Sequence, residues 1–143
     1  DETASYLSKQ FSQRTAKKQY VAVTSGVPAQ VEAVIDLPIE RNPSAPSTFR
    51  VGASGKSAET YYKILEHDSA HALIQLRPKT GRTHQLRVHL AYLSTPILGD
   101  PVYGKEPADR MYLHAESLEI TLPGGKRQIF TAPLPASFSE KVA

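Results

Sequence analysis

The sequence predicts an α/β chain of the α+β kind, a mixed and mostly antiparallel sheet with a few flanking helices. Three patterns predict it. Short segments rich in β-branched and aromatic residues recur between turn signals. Two of them, "AETYYKILEHD" and "SAHALIQLRP", abut at Asp68-Ser69 as an antiparallel hairpin. One clear helical period, "THQLRVHLAYL", lies between strands, with shorter helical segments at the two ends. At 143 residues and 40% hydrophobic content the chain is one domain or a large piece of one, able to bury roughly 70% of its unfolded surface.

Taken in order, Ala4, Leu7 and Phe11 fall at i, i+3 and i+7 and predict a short amphipathic helix. It starts abruptly, so Asp1 is expected to mark a cut inside a larger fold. "QYVAVTSG" predicts a strand running into a turn at Ser25-Gly26. "VEAVIDLPI" predicts a second strand closed by Pro38, and "RNPSAPST" a loop too short to be a domain linker. In the hairpin, His71, Leu73 and Gln75 alternate against Ala72, Ile74 and Leu76. In the central helix Leu86, Leu90 and Leu93 make one apolar stripe. Gly81 is expected to supply a positive φ before it, and Thr83 the N-cap. "MYLHAESLEITLP" and "KRQIFTAPLP" predict a closing strand pair around Gly124-Gly125, and "SFSEKVA" a short last helix.

Charge is distributed more tellingly than its sum of +3 suggests. From Ser69 to Gly99 there is no Asp or Glu, yet Arg77, Lys79, Arg82 and Arg87 all fall there. Surfaces normally mix signs, so the window reads as anion-facing or as a chance run on a basic chain. There is no cysteine, which removes thiol nucleophiles, disulfides and cysteine metal sites and fits a reducing compartment. With no apolar run near the roughly 20 residues of a membrane span and no signal pattern, a soluble, cytoplasmic protein without a membrane partner is expected. An unpaired sheet edge would favour self-association of non-physiological kind.

Each locally interesting residue has two readings. Arg87 sits about 90° from the apolar stripe. Its guanidinium either snorkels to water or holds a carboxylate or phosphate at a cleft floor. Thr80, Gly81, Arg82, Thr83 and His84 lead into the helix start, where N–H groups and the dipole favour an anion, or they form a plain capped turn with Lys79 beside it. Tyr20, after Lys17 and Lys18, is a half-buried strand tyrosine or a platform for a base. No metal site is expected. His84 and His89 lie about 140° apart around a helix, and His67, His71 and His114 fall on separate strands.

A longer pattern adds to this. "LRPKTGRTHQLRVHLAYLSTPILGDPVYG", Leu76 to Gly104, resembles the signature of the RluA-type RNA pseudouridine synthases. "AKKQYVAVTSG", "GKSAETYYKILE" and "MYLHAESLEITLP…FTAPLP" resemble the family's flanking strands, so the likeness covers essentially the whole chain. It implies that residues 1–143 are the C-terminal portion of one pseudouridine synthase catalytic domain, part of that fold. The reaction it implies is conversion of uridine to pseudouridine in ribosomal or transfer RNA, with RNA as partner and no cofactor. By position, the catalytic residues it implies are Tyr20, packing on the uridine and placed to take the C5 proton, and Arg87, pairing with the nucleophilic aspartate. Lys17, Lys18, Lys79, Thr80, Arg82, Thr83, His84 and Gln85 are implied as RNA-binding residues, and Ile97 and Leu98 as apolar residues flanking the pocket. One departure is plain. The family's His-Arg-Leu-Asp motif followed by Thr-Ser-Gly does not occur, and the Thr24-Ser25-Gly26 present follows Tyr20 where the family motif precedes its tyrosine. The chain is therefore expected to lack the nucleophile and to be inactive alone, the alternative being a non-catalytic RNA-binding module. A small sugar-phosphate isomerase finds no base of its own here.

Overall fold

The computed structural model of the chain describes residues 16–143, together with Ser5; the helix expected around Ala4, Leu7 and Phe11 lies outside them. β1 (Lys17–Ser25), β2 (Glu32–Asp36), β5 (Glu59–His67), β6 (His71–Pro78), β7 (Leu113–Thr121) and β8 (Arg127–Thr131) form one sheet in the order β2-β5-β6-β1-β7-β8. Every pairing in it is antiparallel. β3 (Ile39–Arg41) and β4 (Phe49–Val51) make a separate two-stranded sheet. α1 (Gln85–Tyr92) lies between β6 and β7 in sequence, and α2 (Ala136–Glu140) closes the chain.

β1 holds a central place, and its sequence shows why. Val21, Ala22 and Val23 are all buried, so both sheet faces are covered. On one face Ala22 joins Ile74, Leu76, Tyr62 and the helix residues Leu86 and Leu90. On the other, Val21 and Val23 join Leu73, Tyr112 and Phe138 of α2. The hairpin alternation is realised: Ala72, Ile74 and Leu76 face α1 while Leu73 faces α2. Leu90, fully buried, stands at the centre of the helix stripe, where truncation to alanine typically costs about 2–5 kcal/mol.

Two local expectations are corrected. The strand from Val31 to Ile39 is split at Leu37-Pro38 into β2 and β3, because proline has no N–H for a ladder. Leu37 instead donates its N–H to the Ala58 carbonyl at 3.1 Å. The helix is capped by His84, in the left-handed conformation at φ 56°, and not by Thr83. Gly81 does not adopt a positive φ. The reason lies in Gln85, whose side-chain oxygen folds back to accept the Arg82 N–H at 3.0 Å. That bond tightens the turn ahead of the first helical residue and leaves Thr83 exposed. No helix among the described residues is long and apolar enough to cross a membrane.

Candidate functional site

Where the start of β1 meets the loop before α1, an open cleft of about 270 Å³ is lined by Lys18, Tyr20, Gly81, Arg82, His84 and Arg87, among others. Strand register and helix phase converge there. Lys18 and Tyr20 are two apart and share the α1 face of β1, with a ladder irregularity between Gln19 and Tyr20. Tyr20 is half-buried against the core beneath α1, and burial pushes its phenol above the ordinary tyrosine range, so it is protonated at neutral pH. The Lys18 ammonium lies 3.2 Å from the point a Cβ would occupy on Gly81. Glycine thus leaves the room into which this lysine reaches. Burial lowers the Lys18 pKa.

Arg87 is held by a carboxylate of this chain. Its Nε donates to Asp100 Oδ2 at 2.9 Å and its Nη2 to Oδ1 at 2.8 Å. The Asp100 side chain is fully buried and that of Arg87 is 15% exposed. Val102 and Tyr103 also donate their N–H groups to Asp100 Oδ1, at 2.9 and 3.1 Å. Burial alone would raise the Asp100 carboxyl, but the Arg87 hydrogen bond and the two N–H donors outweigh it and hold the pKa below the usual range. The Arg87 guanidinium also packs 5.1 Å from the centre of the Tyr103 ring. Besides the carboxylate expected from outside the chain, Arg87 thus has one within it: Asp100 takes the Nε and Nη2 edge, and Nη1 makes no hydrogen bond to Asp100.

His84 stands between Phe49 and Tyr103 in edge-on ring contacts, and its Nδ1 is 2.8 Å from the Tyr103 hydroxyl. Burial first, then the Arg87 charge, lowers its pKa, so the imidazole is neutral at pH 7. A non-glycine residue in left-handed backbone costs of order 1 kcal/mol and tends to mark functional sites.

The other expected RNA-facing residues divide. Lys17 and Lys79 are exposed, Lys79 standing 3.5 Å from the Glu59 carboxylate. Arg82 is anchored through Nε to the Ser57 carbonyl at 2.8 Å. Thr83 is exposed but does not line the cleft. Thr80 and Gln85 are buried, and their polar side-chain atoms are spent on one another and on β5. They build the loop's attachment and also line the cleft, with those polar atoms turned to partners inside the protein. Ile97 and Leu98 do not line the cleft either. Each is buried in a core cluster, Ile97 beneath α1 and Leu98 against Tyr112 and Phe138. The residues missed from sequence are Asp100 and Tyr103. The pattern Gly99-Asp100-Pro101 signalled a turn, not that its carboxylate would face a helix thirteen positions upstream. Among the described residues no three His, Asp or Glu side chains stand together as a metal site.

Comparison with known proteins bears on the family of the chain. The sequence profile described as RNA pseudouridylate synthase matches residues 1–92. An uncharacterized RNA pseudouridine synthase of Zymomonas mobilis is 46% identical over 94% of this chain and 64% of its own length. The dual-specificity RNA pseudouridine synthase RluA of Escherichia coli K12 is 42% identical over 89% of this chain and 61% of its own. Ribosomal large subunit pseudouridine synthase D of Nitrosomonas europaea is 39% identical over 90% of this chain and 41% of its own. The chain therefore spans about half the length of the curated relatives it matches. The structure of human RNA pseudouridylate synthase domain containing 1 superposes with a TM-score of 0.82 at 31% identity, covering 91% of this chain and 59% of that one. On these grounds the chain belongs to the RNA pseudouridylate synthase family, in its RluA type.

Proposed function

We propose that the protein to which this chain contributes converts uridine to pseudouridine within ribosomal or transfer RNA, in the cytoplasm. The observation that carries this reading is the convergence of Tyr20, Lys18, Arg82, His84 and Arg87 on one cleft, in a chain of this family. A uridine must leave its stack to reach such a cleft, and an aromatic face beside cations suits a flipped base. A carboxylate nucleophile drives cleavage of the N1–C1′ bond, by direct attack or through a glycal. The uracil rotates, C1′ bonds to C5, and the C5 proton is lost to a base. Tyr20 stacks on the uracil, and its phenol, protonated at neutral pH, takes part in that proton's removal by relaying it through the hydroxyl, not as a standing phenolate base. Arg87 fixes the nucleophile through Nη1 while Asp100 holds the opposite edge of the fork.

Asp100 is not that nucleophile. Its side chain is fully buried and already accepts four hydrogen bonds. The sequence holds no His-Arg-Leu-Asp motif, so in this reading the nucleophile comes from outside these 143 residues and they do not turn over alone. One observation favours a second reading, a non-catalytic RNA-binding module: no Asp or Glu lines the cleft among the described residues. Tritium release from RNA labelled at uridine C5 separates the two. Release by the complete protein, with none from residues 1–143, supports the synthase. RNA binding without release by either supports the module.

A further inference from the structure

A chain of buried hydrogen bonds runs from the cleft loop to a histidine one turn further along the same face of α1, and its donors and acceptors can be assigned without ambiguity. Gln85 Oε1 lies 3.0 Å from the Arg82 backbone nitrogen, and Gln85 Nε2 lies 3.0 Å from the Glu59 carbonyl. A backbone N–H only donates and a carbonyl only accepts, so the amide orientation is fixed from both ends. Glu59 donates its N–H to Thr80 Oγ1 at 2.9 Å, and Thr80 donates its hydroxyl to Gln85 Oε1 at 2.7 Å. Gln85 Nε2 donates to Thr60 Oγ1 at 2.9 Å. The Thr60 hydroxyl is 2.8 Å from His89 Nδ1, and His89 Nε2 is 2.9 Å from the Leu37 carbonyl. That carbonyl requires the proton on Nε2. A neutral His89 then has a bare Nδ1, which accepts from Thr60.

We infer that His89, acting through Thr60 and Gln85, is a positioning residue for the loop Lys79–His84, which carries Arg82 and His84 into the cleft. The inference rests on the proposed reading of that cleft as the RNA site. His89, Thr60 and Gln85 are all at least 96% buried, so no water stands ready to replace a lost partner. Without the relay, Gln85 keeps Glu59 and Thr80 but loses the Thr60 acceptor that helps fix its amide, and the turn it holds through Arg82 loosens. Of the charges on neighbouring elements, Asp36 at the end of β2 acts on the ring and favours its protonation. Glu59 on β5 turns its carboxylate to Lys79, Arg77 on β6 donates to Gln19, and Arg50 on β4 pairs with Glu40. Burial outweighs Asp36 and the Leu37 bond and keeps His89 neutral at pH 7. The relay is therefore complete above the ordinary histidine range, and is lost as pH falls through the lowered native value.

The test is Thr60→Val, which keeps the shape of the side chain and removes the hydroxyl. In the complete protein, KM for RNA is expected to rise about tenfold, as one unmade buried hydrogen bond would allow, with kcat within about twofold. Thr60→Ser restores KM. A wild-type KM in Thr60→Val overturns the inference, as does a KM that stays raised in Thr60→Ser. Nitrogen-15 spectra of the imidazoles and amide exchange give a second readout that needs no folded variant. His89 is expected in the Nε2–H tautomer, with exchange at residues 79–84 quickening as it protonates while β1 stays protected. An Nδ1–H tautomer, or loop exchange indifferent to His89 protonation, overturns it. Failure of the wild-type protein to act on or bind RNA would sink the proposed function and leave these spectra unmoved.

Discussion

Asp100→Asn tests the most consequential contact in the molecule. The change conserves volume and leaves Oδ1 able to accept from Val102 and Tyr103. It replaces the other carboxylate oxygen with an amide NH2 facing the Arg87 Nε, which lies 2.9 Å from Oδ2. Donor then meets donor, and a guanidinium only 15% exposed loses its counter-charge. Removing one partner of a buried pair costs about 3–5 kcal/mol, and the residual access of water to Arg87 points to the lower end. For a domain of this size, a loss of about 3 kcal/mol lowers Tm by roughly 9–15 °C. Urea unfolding followed by circular dichroism should show a lower midpoint at unchanged slope. The double variant Asp100→Asn with Arg87→Met should lose less than the two single losses added, because the second change removes the charge the first left stranded. A melting point within about 2 °C of wild type, or strictly additive losses, would refute the account. The pH sign is also fixed. Asp100 is depressed in the fold, so its contribution is present above the unfolded carboxyl value, near 3.9, and is lost as pH falls through the lower native one.

Three further outcomes follow from the same geometry. Gly104→Ala would place a Cβ 2.3 Å from the Asp100 carbonyl oxygen; relief requires the turn holding Asp100 to move, and a loss of about 1–3 kcal/mol should appear in the urea midpoint. In the complete protein, Tyr20→Phe should lower tritium release at least about 100-fold, the smaller end of what a positioned proton-transfer group supplies, while melting and RNA affinity stay near wild type. Lys79→Ala and Arg82→Ala should each reduce the slope of log affinity against log salt by about one for RNA; unchanged slopes would remove those cations from the phosphate path.

How much of this was legible in the sequence depended on how local the cause was. β1, the β5–β6 hairpin and the stripe of α1 follow from periodicity, and the structure reproduces them. The β7–β8 turn follows from Gly124 and Gly125, which adopt φ of 100° and 90°. β4 was not legible, since "FRV" is too short to show a period and forms only by pairing with β3. The cap was misplaced because a threonine is the common local solution, whereas Gln85 reaches back to Arg82 from inside the helix. The resemblance named Thr80 and Gln85 without showing that both are buried and bonded to β5, because burial is not visible in sequence. The resemblance singled out Tyr20 and Arg87, and in the structure both line one cleft. It said nothing of Asp100, whose claim on Arg87 exists only once the turn after α1 has folded.

The acid-free window from Ser69 to Gly99 thus resolves into cations with different tasks. Arg77 donates to Gln19 and lies over the Tyr61 ring, and Lys79 faces Glu59, so both are balanced by groups from neighbouring strands. Lys79 remains exposed on a long stem, free to follow a phosphate. Arg87 has no such freedom. A fully buried carboxylate grips one edge of its fork, and Tyr103 covers its face at 5.1 Å. Tyr103 is itself tied to His84 and to the Phe49 N–H, at 2.8 and 2.9 Å. A guanidinium fixed on two sides is poorly suited to capturing a moving chain, but well suited to presenting a charge in one place. Preorganised charge of that kind needs no rearrangement when a negative group arrives. In the proposed reading, electrostatic capture belongs to the exposed cations at the rim, and Arg87 to the fixed centre of the cleft. On that reading, exchanging the two roles would fail in both directions: a lysine at position 87 could not span Asp100 bidentately, and a buried cation at position 79 could not meet an anion arriving from solvent.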